Sequence, residues 1–373
     1  MGIESTLLRE GITNIEKLNT REINRIAKNI SKTLSETFSD HNLSQSDLFI
    51  AICRLNMYRA DFTDNAKAKY FYKNSSIYFD RSVDFNHMDT VALHECLHYI
   101  QEYRDTNGKV VKMGLYDLKR HSGIALNEAA VQHMASIANN AKVDSVKYYN
   151  LELTTESPDF YPIQTALLNQ MMYFTGSYAL YHSTLFSTDV FKNTFAAQTD
   201  IKTYSKIEKN IDNILEYENN LSIETLKLAN VKDDLSNINK IRKINSVIDD
   251  LKSIIVEKTI ETQNMIFENG FRSEFDSIKT LKDVKAMKLH LYNFKPLLIH
   301  HDQYERFDEF YSEMSNELEE KKLYIKEYGE ISFLDEENSL SVLEEKSKVL
   351  TLFKSLIHKI KLLFEEKIRE KDF

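Results

Sequence analysis

The stretch Val91-Ala92-Leu93-His94-Glu95-Cys96-Leu97-His98-Tyr99-Ile100-Gln101 contains the pattern His-Glu-x-x-His and is expected to form one helix. Because His94 and His98 are four residues apart, their side chains leave the same helix face, one turn apart. Two imidazoles in this arrangement can bind one Zn²⁺ at about 2.0–2.1 Å each. Glu95 is offset around the helix, so it can instead reach a water on the metal, as a general base must.

The same pattern also occurs by chance in proteins that bind no metal, so its surroundings matter. Apolar residues form a stripe on the other side of the predicted helix: Leu93, Cys96, Leu97 and Ile100. Such a helix can be buried on its apolar side while its polar face borders a cleft. The pattern is therefore interpreted as a metal site.

A catalytic zinc site needs a third protein ligand and leaves a fourth position for water. Glu102 is the nearest candidate, but it follows His94 by eight residues (102 − 94), a rise of about 12 Å along a helix. The metzincin pattern is absent, since Gln101 and Arg104 stand where that class has Gly and its third His. The third ligand is therefore expected from another element.

A second predicted helix contains residues 126–132, which are rich in Ala and follow Ser122-Gly123, and its Glu128 could face the first helix. Together, His94-Glu95-x-x-His98 and Asn127-Glu128-Ala129-Ala130 resemble the gluzincin class of zinc metallopeptidases. The resemblance covers roughly residues 65–200. It implies that His94, His98 and Glu128 bind zinc, that Glu95 is catalytic base and proton shuttle, and that Asn127 supports the third ligand.

The chain departs from that class four residues after the third ligand. Thermolysin-like members have an Asp there that supports a zinc-bound His, whereas this chain has Gln132. An amide oxygen can accept the imidazole N–H, but it brings no negative charge and should raise ligand basicity less. Gln132 is therefore expected beside the metal ligands as a weaker support.

Residues 1–60 are predicted to be helical, as packing support for the catalytic core, because apolar residues recur there at spacings of three and four. Two aromatic runs around the polar turn 73–76 predict a β-hairpin over residues 66–80, the only convincing β structure in the sequence. Zinc peptidases commonly bind an extended substrate beside an edge strand. This makes Tyr78 a candidate for substrate binding, the alternative being a hairpin that only covers the core.

A hydrolase also needs a donor for the oxyanion that develops on the substrate. His121 is one candidate, since it precedes the predicted Glu128 helix, and a structural role is its alternative. Residues 159–190 form a tyrosine-rich stretch that is expected to close the core and line the cleft. The further candidates for oxyanion or substrate contacts there, each with packing as its alternative, are Tyr161, Tyr178, Tyr181 and His182.

Composition excludes several classes of protein. The net charge of −9 argues against nucleic acid or an anionic membrane as main partner. Two cysteines exclude a disulfide scaffold and favour a reducing compartment, and no apolar run approaches the roughly 18 residues that span a bilayer. The N-terminus lacks the features of a secretory signal, although Gly2 and Thr6 fit the loose myristoylation pattern. A cytoplasmic location is therefore expected.

From residue 201 onward, apolar residues recur at threes and fours between charged residues, over 235–255, 307–318 and 349–368. A capping box at 341–344 opens the last of these segments. They predict long amphipathic helices that form a bundle or an antiparallel coiled coil, with a surface for a protein partner as the alternative to self-packing.

The sequence thus predicts a mostly α (α+β) protein with a catalytic domain over residues 1–200 and an all-helical domain over 201–373. The predicted function is zinc-dependent hydrolysis of a peptide bond in a peptide or protein substrate, with one Zn²⁺ per chain. The alternative is a regulatory or scaffolding protein whose metallopeptidase domain is vestigial and whose helices bind the partner.

Overall fold

The computed structural model describes residues 3–64, 66–86, 89–231, 237–304 and 306–328. Within these residues the chain is mostly helical and contains three small sheets. In the described parts of the chain, no helix has the length and apolar character needed to cross a bilayer.

The first sheet has four strands: β1 (Ile12–Lys17), β2 (Asn56–Phe62), β3 (Ala68–Phe71) and β4 (Ser76–Asp80). Their order is β1-β2-β4-β3, with β2 and β4 parallel and the other two pairs antiparallel. β3 and β4 are the predicted hairpin, which is confirmed. β3 is an edge strand of this sheet.

Two parts of the N-terminal prediction were wrong. β1 and β2 are strands within residues 1–60, where helices were expected, and the hairpin is not the only β structure. The spacing of Ile12 and Ile15 suggested that both lie on the buried face of a helix. Both are instead on strand β1, where Ile12 is buried and Ile15 is exposed. Pairing of β1 with β2, which is distant in sequence, outweighs the local periodicity.

Five helices surround this sheet and the region after it. They are α1 (Ile3–Arg9), α2 (Thr20–Thr37), α3 (Gln45–Cys53), α4 (Thr90–Ile100) and α5 (Ile124–Ala138), with a 3-10 turn at Ser39–His41. The helix predicted for the His-Glu-x-x-His stretch is α4, which packs against α5 on one side and β3 on another. The Ala-rich segment forms α5, as predicted.

The other two sheets flank α5 in the sequence. One contains β5 (Glu102–Arg104), β6 (Val110–Met113) and β7 (Tyr116–Asp117), and the other is the hairpin of β8 (Asp144–Tyr148) and β9 (Leu151–Thr155).

Helices form the rest of the described chain. They are α6 (Pro162–Thr175), α7 (Ser177–Phe186), α8 (Val190–Gln198), α9 (Ile201–Ala229), α10 (Ile238–Ser277), α11 (Leu281–Phe294) and α12 (Arg306–Tyr328), with a 3-10 turn at Lys295–Leu297. The prediction of long helices after residue 201 is confirmed as far as residue 328. The capping box at 341–344 and the apolar segment 349–368 lie outside the described residues.

The largest apolar core contains residues from both sides of residue 200. Leu126 of α5 and Leu167 of α6 belong to it together with Ile211 of α9 and Ile255 of α10. A second core lies between α4, α2 and the four-stranded sheet, and a third joins the end of α10 to α11 and α12. Residue 200 therefore marks the start of the long helices and not a break in the packing.

Candidate metal centre

Helix α4 presents two histidines to the interior. Asp89 caps its N-terminus by accepting hydrogen bonds from the N–H groups of Val91 and Ala92. Leu93 and Leu97 are fully buried in the second core, which fixes the rotation of the helix. His94 and His98 consequently point away from that core, and both are still buried, at 7% and 6% exposure.

Helix α5 brings Glu128 to these histidines. Its N-terminus is held from another helix, because the N–H groups of Gly123 and Ala125 each donate a 2.8 Å hydrogen bond to the carboxylate of Asp212 on α9. Gly123 has φ +79°, a backbone conformation that favours glycine, at the point where the chain enters the helix. Glu128 follows on the turn that lies against α4.

Three ligand atoms converge between the two helices. The Nε2 atoms of His94 and His98 are 3.0 Å apart, and the Glu128 carboxylate oxygens lie 3.2 Å from the first and 3.5 Å from the second. Ligands bound at about 2.0–2.1 Å to a tetrahedral Zn²⁺ lie about 3.3 Å from one another. The three distances between ligand atoms, from 3.0 to 3.5 Å, lie on both sides of this value, so the group fits one such ion. Within the described residues this is the group of histidine, cysteine and acidic side chains that could hold a metal.

The second nitrogen of His94 shows which atom carries the proton. Its Nδ1 lies 2.9 Å from Oε1 of Gln132, an acceptor, so the proton is on Nδ1 and Nε2 has a free lone pair. The Gln132 amide also donates to Ser136, which fixes its orientation. This is the place predicted for Gln132.

Gln101 gives His98 the same support, and the sequence analysis did not identify it in this role. Its amide lies 2.9 Å from His98 Nδ1, while its other end points into the region of Gly114 and Asn127. With the amide nitrogen towards His98, Oε1 of Gln101 is buried without a partner among the described residues. A half-turn of the amide would resolve this, because its oxygen would then accept from His98 Nδ1–H. Gln101 is three residues after His98, a helical spacing that could have revealed it.

Asn127 forms a hydrogen bond with the backbone near the ligands. Its Oδ1 accepts a 3.0 Å hydrogen bond from the N–H of Leu115 and fixes the turn at Gly114. A Cβ at Gly114 would lie 2.3 Å from Asn127 Oδ1 and 2.4 Å from Gln101 Oε1, and φ is +56° there. A side chain at position 114 would therefore clash with both amides, which favours glycine there.

The electrostatics of the two acidic groups differ. Burial raises the pKa of Glu95 to about 7, and the backbone N–H of Tyr70 donates to its carboxylate. Burial would also raise the pKa of Glu128, but His98 and His94 outweigh it and hold that pKa well below its usual range. Glu128 is therefore a permanent anion facing two imidazoles, and Glu95 can exchange a proton near neutral pH.

Of the tyrosines predicted for the site, Tyr161 contacts it. Its ring stacks on His94, with centroids 6.2 Å apart, and its hydroxyl donates to Glu128. The negative charge of Glu128, together with burial, raises the pKa of Tyr161 well above its usual value. Tyr161 adopts φ +52° immediately before Pro162, the first residue of α6, and this turn directs the ring to the metal ligands.

The remaining candidates lie elsewhere. His121 is exposed, with Nδ1 3.3 Å from the hydroxyl of Tyr116. Tyr78 is buried at 3% exposure and stacks on Tyr58, which favours packing over substrate binding. A separate aromatic cluster contains the other three, with Tyr178 stacked on His41 and His182, and Tyr181 bonded to His133.

A cavity of about 1030 Å³ adjoins Tyr161, which forms part of its wall and contacts the ligand group. The arrangement thus combines a three-atom ligand set, an adjacent carboxyl of raised pKa, a hydroxyl donor and a cavity next to that donor. These components could hold a divalent metal and move a proton beside it.

No protein-family model matches the chain, and comparisons with curated proteins and with solved structures find no significant similarity.

Proposed function

We propose that the protein is a zinc-dependent peptidase of the gluzincin type, with His94, His98 and Glu128 as metal ligands. The observation that carries the proposal is the convergence of two Nε2 lone pairs and a carboxylate within 3.5 Å of one another. Gln132 holds the proton of His94 on Nδ1, which directs the Nε2 lone pair to the shared point, and Gln101 would do the same for His98 with its amide oxygen towards Nδ1.

Zinc in such a site lowers the pKa of a bound water and polarises a substrate carbonyl. Glu95, on the turn between the two histidines, takes the proton of the attacking water and delivers it to the leaving amine. The Tyr161 hydroxyl donates to the oxygen of the scissile carbonyl as negative charge develops there. Its raised pKa keeps it protonated, as a donor requires.

The edge of β3 supports a peptide as substrate. The N–H of Tyr70 points away from β4, towards Glu95. The backbone N–H and C=O groups of the neighbouring residues Lys69 and Phe71 therefore point to the other side, towards β4. An extended chain added beside β3 would therefore pass over Glu95 and the metal ligands. Main-chain hydrogen bonds to a strand suit a polypeptide better than a small molecule.

The alternative is a non-catalytic scaffolding protein with a vestigial site. The presence of the Glu95 carboxyl beside a complete set of three ligand atoms favours the enzyme. The decisive measurements are zinc content by mass spectrometry of purified protein and cleavage of a peptide library.

We expect one zinc per chain in the wild type and in Glu95→Gln, with turnover in that variant reduced by about 10²–10⁴-fold. Glu128→Ala should lose both the zinc and the activity, because two imidazoles alone bind the ion weakly. Absence of zinc from the wild type would favour the scaffold, and wild-type cleavage by Glu95→Gln would refute the role of Glu95.

A further inference from the structure

The cavity beside Tyr161 has a wall from each half of the chain. Tyr148, Tyr149 and Tyr161 line one side, and Glu218 of α9 and Asp249 of α10 line the other. Tyr161 also donates to Glu128, so this residue joins the cavity to the candidate metal centre, whose ligands do not themselves line the cavity.

Glu218 is the unusual residue of this cavity. It is largely shielded from solvent, and a neutral amide, Nε2 of Gln164 at 2.5 Å, is its hydrogen-bond donor. Among the described residues, no lysine or arginine forms an ion pair with it, and burial raises its pKa to about 7. A shielded carboxylate without a cation is costly to fold, and such groups concentrate at functional sites.

The other charged residues of the lining are mostly acidic as well. The lining contains Asp159 and Asp249 besides Glu218, and one cationic residue, Lys252. The charges of both Glu218 and Asp159 act on the hydroxyl of Tyr148, so the two carboxylates face the same space. They do not approach closely enough to form a metal-binding group with a third ligand, as the histidine pair and Glu128 do. The cavity therefore suits a larger, organic cation, for which tyrosine rings and hydroxyls are good partners.

We propose that this cavity is the specificity pocket of the enzyme and binds a cationic group of the peptide substrate, an ammonium or guanidinium, with Glu218 as its counter-ion. The proposal rests on the peptidase function proposed above. The cation can be a lysine or arginine side chain or the terminal amine of the peptide, and one experiment distinguishes these sources.

The test compares the wild type with Glu218→Gln, which keeps the size of the side chain and an acceptor for Gln164. Glu216→Gln is the matched control, because Glu216 makes the same charge change on an exposed part of α9. The substrates are peptide libraries in which one position at a time is Lys, Arg or norleucine, each with a free or an acetylated N-terminus.

We expect the wild type and Glu216→Gln to cleave Lys or Arg peptides, or peptides with a free terminus, about tenfold or more faster than their neutral counterparts. Glu218→Gln should lose this preference and cleave the cationic peptides no faster than their neutral counterparts. Loss of the preference on acetylation alone would identify the terminal amine as the cation. A cleaving wild type with no such preference, or a preference that survives in Glu218→Gln, would overturn the proposal and leave the peptidase function standing.

If the wild type cleaves no peptide, a binding measurement can still test the pocket separately from the peptidase function. Fluorescence anisotropy of the same labelled peptides is measured with zinc-loaded Glu95→Gln protein, with and without Glu218→Gln. If no peptide is cleaved by the wild type, but cationic peptides still bind about tenfold more tightly and lose this advantage with Glu218→Gln, the peptidase proposal fails and the pocket remains. Equal binding of cationic and neutral peptides in both variants would overturn the pocket.

Discussion

Single residues determine how the candidate centre is protonated. The outer nitrogens of both imidazoles face glutamine amides, Gln132 for His94 and Gln101 for His98. An amide orients the ring without adding a negative charge, so Glu128 supplies the anionic charge among the proposed ligands. A bound dication would retain more net positive charge than one whose histidines face carboxylates, which favours polarisation of a substrate.

At this scale, Tyr161→Phe separates the hydroxyl from the ring. The variant keeps the stack on His94 but loses the proposed donor to the oxyanion, so we expect kcat to fall by about 10²–10³-fold with little change in zinc affinity. Peptide cleavage and zinc titration measure the two effects. Tyr178→Phe serves as control, since Tyr178 stacks on His41 in the separate aromatic cluster, and it should retain full activity. Equal activity of Tyr161→Phe and the wild type would remove Tyr161 from the mechanism.

The sequence could name Tyr161 only as one of several candidates. Tyr161, Tyr178 and Tyr181 all lie in the same tyrosine-rich stretch, and nothing in the neighbouring sequence distinguishes them. What distinguishes Tyr161 is the left-handed turn before α6, which depends on how α6 packs against α5. His94, His98 and Glu128 were predictable because helical spacing alone places the first two together, and a resemblance supplied the third.

At the scale of elements, the helix that carries Glu128 depends on a residue far along the chain. Asp212 accepts from two N–H groups at the start of α5, the role that an N-cap side chain normally plays within its own helix. Local sequence at Ser122-Gly123 predicted the start of this helix correctly. It could not indicate the cap, because the contact exists only once α9 has packed on α5.

We expect Asp212→Ala to lower the free energy of unfolding by about 1–2 kcal/mol, because two N–H groups lose their acceptor. Zinc affinity should fall with it, since the start of α5 positions Glu128. Chemical denaturation and zinc competition measure the two quantities. Glu216→Ala, an exposed truncation on the same helix, should change neither, and wild-type stability and zinc affinity in Asp212→Ala would contradict the tertiary cap.

Strands were harder to predict than helices for a related reason. The periodicity of residues 12–34 is compatible with one continuous helical region. Residues 12–17 form strand β1 instead because they pair with β2. The hairpin of β3 and β4 was visible because both strands and their turn are contiguous. Local signals thus identified the hairpin and the helices, whereas β1 required knowledge of a distant partner.

At the scale of the whole molecule, the shared core joins the long helices to the candidate centre. α9 supplies Asp212 to α5 and Glu218 to the cavity, and its apolar face packs in the same core as α5 and α6. The sequence pattern changes near residue 200, where long amphipathic helices begin. Such a change does not show whether the helices before and after it pack in one core.

Glu218 should also affect the stability of the whole fold as a function of pH. Its pKa is raised from 4.5 to about 7 in the folded protein, so between these values the folded state holds a proton that the unfolded state has released. Stability contributed by this proton is full below about pH 4.5 and is lost as the pH rises to about 7. Glu218→Gln, which never ionises, should therefore be more stable than the wild type by about 1–3 kcal/mol at pH 8.

The difference should disappear near pH 4, where Glu218 is neutral in both states. Thermal or chemical unfolding across this range measures it, and comparison of the two proteins cancels the contribution of other groups such as Glu95. Parallel stability curves for Glu218→Gln and the wild type would contradict the assignment of Glu218 as a partly shielded carboxylate without a cationic partner. Glu216→Gln, the same charge change at an exposed position of α9, is the control.

The short edge strand β3 has a consequence for the behaviour of the protein in concentrated solution. An open strand edge is a template on which a second molecule can extend the sheet, and this is a common beginning of aggregation. Here the edge is four residues long, and the N–H of Tyr70 is already occupied by the carboxylate of Glu95. A neighbouring copy, like a substrate strand, would have to displace the Glu95 carboxylate from this N–H before it could pair there, so the residue proposed to move protons also limits self-association at this edge.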